Sequence, residues 1–230
     1  MRRQRKPVSK DGSRHHTDEV INTITHLIGA VFSLAGGVIL VVYASVASKP
    51  WHVAGFTIYV FTLLLMFLAS VCHHALEGSR REEEILRTID YAAIFLLIAG
   101  TFTPMCLTFA RGPLGWSMLG VVWLLSAIGI AIRASLPKVP KWMTNTLYVC
   151  MGWLGVLLVS PVYFATHWQG TAMLIAGGVF YSAGAVVFAL EKPNPVPGRF
   201  GFHEIWHLCV LLGAACHFFL MFFYVLPLQG

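Results

Sequence analysis

The sequence predicts an all-α integral membrane protein of seven transmembrane helices, on three observations: its composition, the length of its apolar runs and the placement of its cations. Of 230 residues, 57% are hydrophobic and 11% charged, with a mean hydropathy of +0.72. Soluble domains run at about 45–50% and about 25%. The apolar runs are roughly 20 residues long, which at about 1.5 Å per residue crosses a hydrocarbon core of about 30 Å. Backbone groups in lipid need partners within their own segment, so such runs are helices.

In order, the spans are read at 24–47, 51–74, 86–108, 114–132, 142–164, 168–190 and 203–226. The first is too long for a signal-peptide core and no small-residue cleavage site follows it, so it is expected to stay in the membrane. The second ends at His74. The third carries Asp90 about one turn in and Pro104 as a kink. Trp51, Trp116, Trp142 and Trp168 stand near span ends, as interfacial anchors do. The seventh opens with His203 and His207. Residues 1–23 are then a basic N-terminal segment and 24–230 one seven-helix domain.

Cation counts orient the bundle. Six Lys and Arg precede the first span, three lie at 75–87, three at 133–141 and two at 191–202; the opposite loops hold only Lys49 and Arg111. The positive-inside rule places the N-terminus in the cytoplasm and the C-terminus outside. The pI near 9.2 is thus a matter of topology, and no nucleic-acid partner is expected. The five cysteines are odd in number and form no C-x-x-C pair. They read as buried thiols.

Ionisable residues in or beside the spans are His26, His73, His74, Asp90, His203, Glu204, His207 and His217. In hydrocarbon such groups are expensive, and each is a functional candidate. The topology brings His74, Asp90, His203 and His207, from three helices, to a similar depth near the cytoplasmic face. His203 and His207 are four residues apart and share a helix face. His217 lies about 15 Å deeper, too far for the same ion. Three imidazoles with a fourth position open are the ligand set of catalytic zinc. Asp90 can then handle the proton of an activated water, and Ser70, one turn from His74, can orient that water or a carbonyl. Structural readings stand beside these: Glu204, in a first helical turn, suits a cap, and Asp90 shares that reading. His73 is turned about 100° from the Ser70–His74 face. His15, His16, His52 and His167 are expected to face solvent. The string HEIWH at 203–207 also fits the H-E-x-x-H pattern of zinc proteases.

Four stretches carry a resemblance: DEVINTITHLIGA at 18–30, LASVCHHAL at 68–76, LRTIDYAAIFLLIAGTFTP at 86–104 and PGRFGFHEIWHLCVLLGAACHF at 197–218. Together they resemble the hemolysin III family, the bacterial branch of the progestin and adipoQ receptor group. The resemblance implies a bacterial cytoplasmic-membrane protein with seven helices and a zinc ion near the cytoplasmic side. Its ligands would be His74, of an S-x-x-x-H stretch beginning at Ser70, with His203 and His207; Asp90 would reach the metal through water. His73 departs from the family, standing where relatives often have Tyr. The family pattern needs no Glu between the paired histidines, and EKPNPVPG at 191–198 lacks the aspartate an intramembrane protease would use, so peptide cleavage is not expected.

The wider ceramidase-like superfamily implies a membrane-lipid substrate and hydrolysis of a lipid amide, with Asp90 and Ser70 as catalytic residues. The rival is a non-enzymatic cytolysin or receptor-like regulator whose zinc only braces the bundle. A permanent pore would show polar residues at all depths, whereas the outer halves offer mainly hydroxyls and His217.

Overall fold

A computed structural model of the chain describes residues 9–10, 13, 15–136 and 139–228. It contains α1 (Glu19–Val46), α2 (Pro50–Ala75), α3 (Arg80–Leu107), α4 (Pro113–Ser135), α5 (Lys141–Trp153), α6 (Val159–Leu190) and α7 (Phe202–Leu220). A 3-10 turn at Leu154–Leu158 joins α5 to α6, and a π turn at Met221–Val225 extends α7. Among the described residues there is no strand, only an isolated bridge between Val196 and Phe200. Of the N-terminal cations, Arg2, Arg3, Arg5, Lys6 and Arg14 lie outside the described residues, as does Lys138.

Among the described residues the protein is all-helical, with six helical stretches long and apolar enough to cross a membrane. The fifth, Lys141–Leu190, has 50 residues; drawn straight it would measure about 75 Å, more than twice a bilayer core. It does not run straight. Within it His167 has φ 54° and ψ −151°, outside helical values. Trp153 Nε1–H donates to Ser182 Oγ at 3.2 Å, and Lys141 Nζ donates to Glu191 Oε1 at 3.2 Å. Both pairs straddle His167 almost symmetrically, so the stretch doubles back there.

Two helices begin well before their apolar spans. The Asp18 carboxylate accepts from the Val20 and Ile21 N–H groups at 3.0 and 3.1 Å, starting α1 at Glu19 rather than near residue 24. Ser79 and Glu82 form a reciprocal capping box that starts α3 at Arg80 rather than 86. Hydropathy marks the part of a helix that meets lipid; capping side chains mark where its hydrogen bonds begin.

Around the bundle α1 packs on α2, α2 on α3, α3 on α4 and α6 on α7, and α1 closes onto α7. The α2–α3 contact depends on two glycines. A Cβ on Gly55 would lie 2.7 Å from Pro104 Cα, and one on Gly100 would overlap Thr62 Oγ1, so backbone meets neighbouring helix directly. Small residues permit this approach in lipid, where no hydrophobic force draws helices together. The four tryptophans named above are all exposed on the bundle surface.

Two expectations are corrected. The cysteines are not all buried thiols: Cys106 is buried, but Cys72, Cys209 and Cys216 are partly exposed and Cys150 lies on the bundle surface, where an apolar run faces outward. His52 is buried, not solvent-facing: its Nε2–H donates to the Val225 carbonyl at 3.0 Å. The first turn of α2 packs against the end of the last helix, whose terminal carbonyls lack intrahelical donors.

Candidate metal centre

His74 stands in the last turn of α2, and His203 and His207 in the first two turns of α7. All three are buried. His74 Nε2 and His203 Nε2 are 3.3 Å apart. Ring centroids are 5.0 Å apart for His74 and His203, 4.8 Å for His74 and His207, and 4.8 Å for His203 and His207. One nitrogen from each ring lies within 4.8 Å of the others, so the group can hold a metal ion. The sequence pattern therefore names three residues that the fold brings together.

Helix α1 contributes no member of the trio yet orients two of them. Glu19 Oε2 lies 2.6 Å from His74 Nδ1, and its other oxygen accepts from Thr17 Oγ1 at 2.8 Å. A carboxylate accepts only, so His74 Nδ1 carries the hydrogen and Nε2 keeps a lone pair toward His203. Thr25 gives its hydroxyl hydrogen to the main chain, to Ile21 O at 2.9 Å, and its oxygen lies 3.5 Å from His207 Nδ1. The His26 ring stacks on His207, with centroids 3.7 Å apart and planes 19° apart. This is the arrangement that surrounds metal-binding histidines, an outer group fixing tautomer and ring plane.

Glu204 faces away from this chemistry. One carboxylate oxygen accepts from the Asp18 N–H at 2.7 Å and the Asn22 amide at 3.2 Å; the other accepts from the Gly201 N–H at 2.7 Å. It ties the first turns of α1 and α7 together, as expected of a cap. A general base for peptide cleavage would need a free oxygen toward the histidines. On the same end Lys10 Nζ donates to the carbonyls of His74 and Leu76, each at 2.9 Å, closing the C-terminus of α2.

Ser70 and Asp90 line one cavity with His203 and His207; the cavity measures about 180 Å3 and reaches Leu174 and His217. Ser70 is buried, with its hydroxyl beside the Asp90 carboxyl. His73 also lines this cavity, but its ring sits beside His74, centroids 4.9 Å apart, outside the trio. His217 is held apart, its Nε2–H donating to Leu174 O at 3.2 Å.

Sequence reasoning gave Glu19 and Asn22 no role and left His26 without one. A signal was present. The three lie at helical spacing of three and four residues, a polar face entering an apolar span. It went unread because none of them completes a ligand pattern.

A family model described as Haemolysin-III related matches residues 14–218. The chain is 39% identical over 210 residues to Hemolysin-3 of Bacillus cereus, covering 91% of this chain and 93% of that protein. It is 35% identical over 207 residues to the Hemolysin-3 homolog of Bacillus subtilis (strain 168), covering 90% and 94%. At 25% identity over 212 residues it also aligns with the human Monocyte to macrophage differentiation factor, covering 90% and 84%.

Proposed function

The chain belongs to the haemolysin-III-related family and is an integral membrane protein, and from that premise we propose that it is a zinc-dependent hydrolase of membrane lipid amides. Its setting is a bacterial cytoplasmic membrane, crossed seven times, with the N-terminus cytoplasmic and the C-terminus outside. The doubling back at His167 supports the seventh crossing, since it divides 50 residues into two arms of spanning length. The concentration of Lys and Arg in alternate loops supports the orientation.

The observation that carries the reading is the 3.3 Å between His74 Nε2 and His203 Nε2, with His74 Nδ1 already engaged by Glu19. Zinc–nitrogen bonds of about 2.0–2.1 Å at a tetrahedral angle require nitrogens about 3.3–3.4 Å apart. An all-imidazole donor set also suits zinc better than calcium or magnesium.

His74, His203 and His207 would hold the ion, which when bound supplies Lewis acidity and makes a water nucleophilic near neutral pH. Asp90 takes the proton that the attacking water gives up and returns one to the departing amine nitrogen. Ser70, whose hydroxyl lies beside Asp90 at the cavity wall, donates to the substrate carbonyl oxygen. The water oxygen joins the acyl carbon as the C–N bond breaks, leaving a fatty acid and an amine. The cavity from His203 to His217 is mostly apolar and receives the acyl chain.

A second reading is favoured by the name of the relative at 39% identity, Hemolysin-3: a cytolysin, or a receptor-like regulator, whose metal only braces the bundle. One set of samples separates the two. Metal content and release of fatty acid from a ceramide-like amide are measured on wild type, His74→Ala, His203→Ala and His207→Ala. The hydrolase reading expects one zinc per chain in wild type and loss of both zinc and turnover in each variant. Haemolysis that survives metal loss, with no turnover in wild type, would establish the cytolysin. Variants that unfold more easily while the metal-loaded wild type turns nothing over would establish a bracing metal.

A further inference from the structure

A second polar site lies at the same end of the bundle, on its outer surface. Between α3, α4 and the start of α5 runs a groove of about 540 Å3, lined by Arg87 and Arg133 and, at its edges, by Arg81 and Lys141. Among the described residues, the groove sets one carboxylate against these four cations, Glu84, which is exposed and paired with Arg80 at 3.5 Å. Lys141 is engaged with Glu191. Arg87 and Arg133 form no ion pair among the described residues and each has a buried Nε without a hydrogen-bond partner there, although the Asp90 carboxyl is near enough to act on Arg133 electrostatically. The Arg133 guanidinium lies 4.3 Å from the centre of the Tyr91 ring, which holds its plane in place.

Two half-buried guanidiniums sharing a groove whose one described carboxylate, Glu84, is already paired with Arg80 are a costly arrangement. Like charges repel, and a buried N–H without an acceptor loses its hydration for nothing. Arginine's planar fork of donors matches a phosphate in geometry as well as charge. The walls identify the kind of phosphate. Ile85, Ile89 and Leu136 line the same groove and are each about half exposed, the exposure of residues that meet acyl chains. A free ion has no use for such walls; a lipid has. The spacing along the helices agrees. Arg87 lies two turns inside α3, Arg133 in the last turn of α4 and Lys141 at the start of α5, the depth at which headgroups meet hydrocarbon.

We propose that this groove is a binding site for a phosphate group, that of an anionic phospholipid whose acyl chain lies along Ile85, Ile89 and Leu136. Under the orientation proposed above the lipid belongs to the cytoplasmic leaflet, where basic pockets between transmembrane helices take anionic headgroups. The site is separate from the histidines and does not depend on their holding a metal. Asp90 and Tyr91 adjoin on α3, so the lipid braces the helix that presents Asp90 to the inner cavity.

The test is thermal unfolding of the full chain in nanodiscs of phosphatidylcholine alone and of equimolar phosphatidylcholine and phosphatidylglycerol, with inorganic phosphate added to phosphatidylcholine discs as a third arm. Wild type is expected to melt higher with phosphatidylglycerol. Arg87→Gln and Arg133→Gln are each expected to weaken phosphatidylglycerol retention roughly fivefold, and the double variant to abolish the shift. Lys192→Gln/Arg199→Gln removes as much charge elsewhere and is expected to keep it. If inorganic phosphate reproduces the whole shift, the lipid assignment is overturned and the ligand is a soluble phosphate. Equal shifts in both double variants, or none in wild type, overturn the site itself. A double variant that does not fold is replaced by Arg87→Lys/Arg133→Lys, which keeps the charge but loses the fork and is expected to retain less lipid than wild type; equal retention overturns the proposal. Loss of zinc without loss of the lipid shift would bear on the hydrolase reading alone.

Discussion

His52 and His74 occupy opposite ends of one helix, 22 residues or about 33 Å apart, and both are buried. Around His52 the protein uses positive and neutral donors to finish the last helix. His52 bonds the Val225 carbonyl at 3.0 Å and Lys49 Nζ the Leu226 carbonyl at 2.8 Å. Around His74 it uses a carboxylate, Glu19, and leaves the other ring nitrogen facing His203. Burial is the same in the two regions; what stands behind the ring differs. A backbone carbonyl ends a histidine's chemistry by taking its N–H for structure. A carboxylate fixes the N–H on the far side and turns the remaining lone pair inward, toward a site that can hold a metal.

The contrast breaks most severely at His207→Ala. With one of three imidazoles gone, metal retained through purification is expected to fall more than a hundredfold, measured by elemental analysis per chain, while His52→Ala keeps the wild-type content. Equal loss in both would mean that the metal tracks folding rather than this site. Next in size is Glu204→Ala, which leaves the Asp18 and Gly201 N–H groups and the Asn22 amide without their acceptor. Buried groups orphaned in this way cost about 1–3 kcal/mol each. The variant is expected to lose about 3 kcal/mol or more, seen as a lower Tm in detergent. A Tm unchanged within error would refute the tie between α1 and α7.

How much of this was legible beforehand follows from what each signal measures. Apolar runs located six helical stretches among the described residues, because lipid demands them, but they missed the 3-10 turn at Leu154–Leu158 that separates α5 from α6 and the first turns of α1 and α3, whose starts depend on Asp18 and on Ser79 with Glu82. The trio at His74, His203 and His207 was legible because helical spacing and topology together set depth. Glu19 was not, because its role depends on where the chain before α1 settles against the end of α2. His52 was misread because it sits beside a loop in sequence, and only the packing of α2 on the last helix buries it. Arg87 and Arg133 were counted as topology signals; their groove exists only once α3 and α4 are side by side.

Glu19→Gln sharpens the comparison within the metal region. The amide keeps an oxygen able to accept from His74 Nδ1–H but removes the charge, and it can also turn its NH2 toward the ring and favour the wrong tautomer. Metal affinity is expected to drop about 10–100-fold with the Tm little changed, measured by competition with a chromogenic chelator. Cobalt substitution supplies a second readout, since the visible band reports ligand geometry that a general loss of stability would not alter. Thr17→Val, which removes only the hydroxyl that steadies Glu19, should show a smaller effect in the same direction. Affinity unchanged in Glu19→Gln would leave the carboxylate as packing alone.

The smallest effect is expected at the other end of α2. His52→Phe keeps a flat ring beside Phe56 but cannot donate to Val225 O, so that carbonyl, which also accepts from the Leu228 N–H at 3.1 Å, loses one of its two donors. The net worth of such a bond is about 1 kcal/mol, and part returns because the phenyl ring buries more apolar surface. Lys49 still caps the neighbouring Leu226 carbonyl, so the helix end keeps one of its two side-chain donors. A Tm lowered by a few degrees, with metal content and chelator competition at wild-type values, is the expected result. A change in metal affinity here would mean that the two ends of α2 are coupled along its length, and the division of labour between its histidines would have to be abandoned.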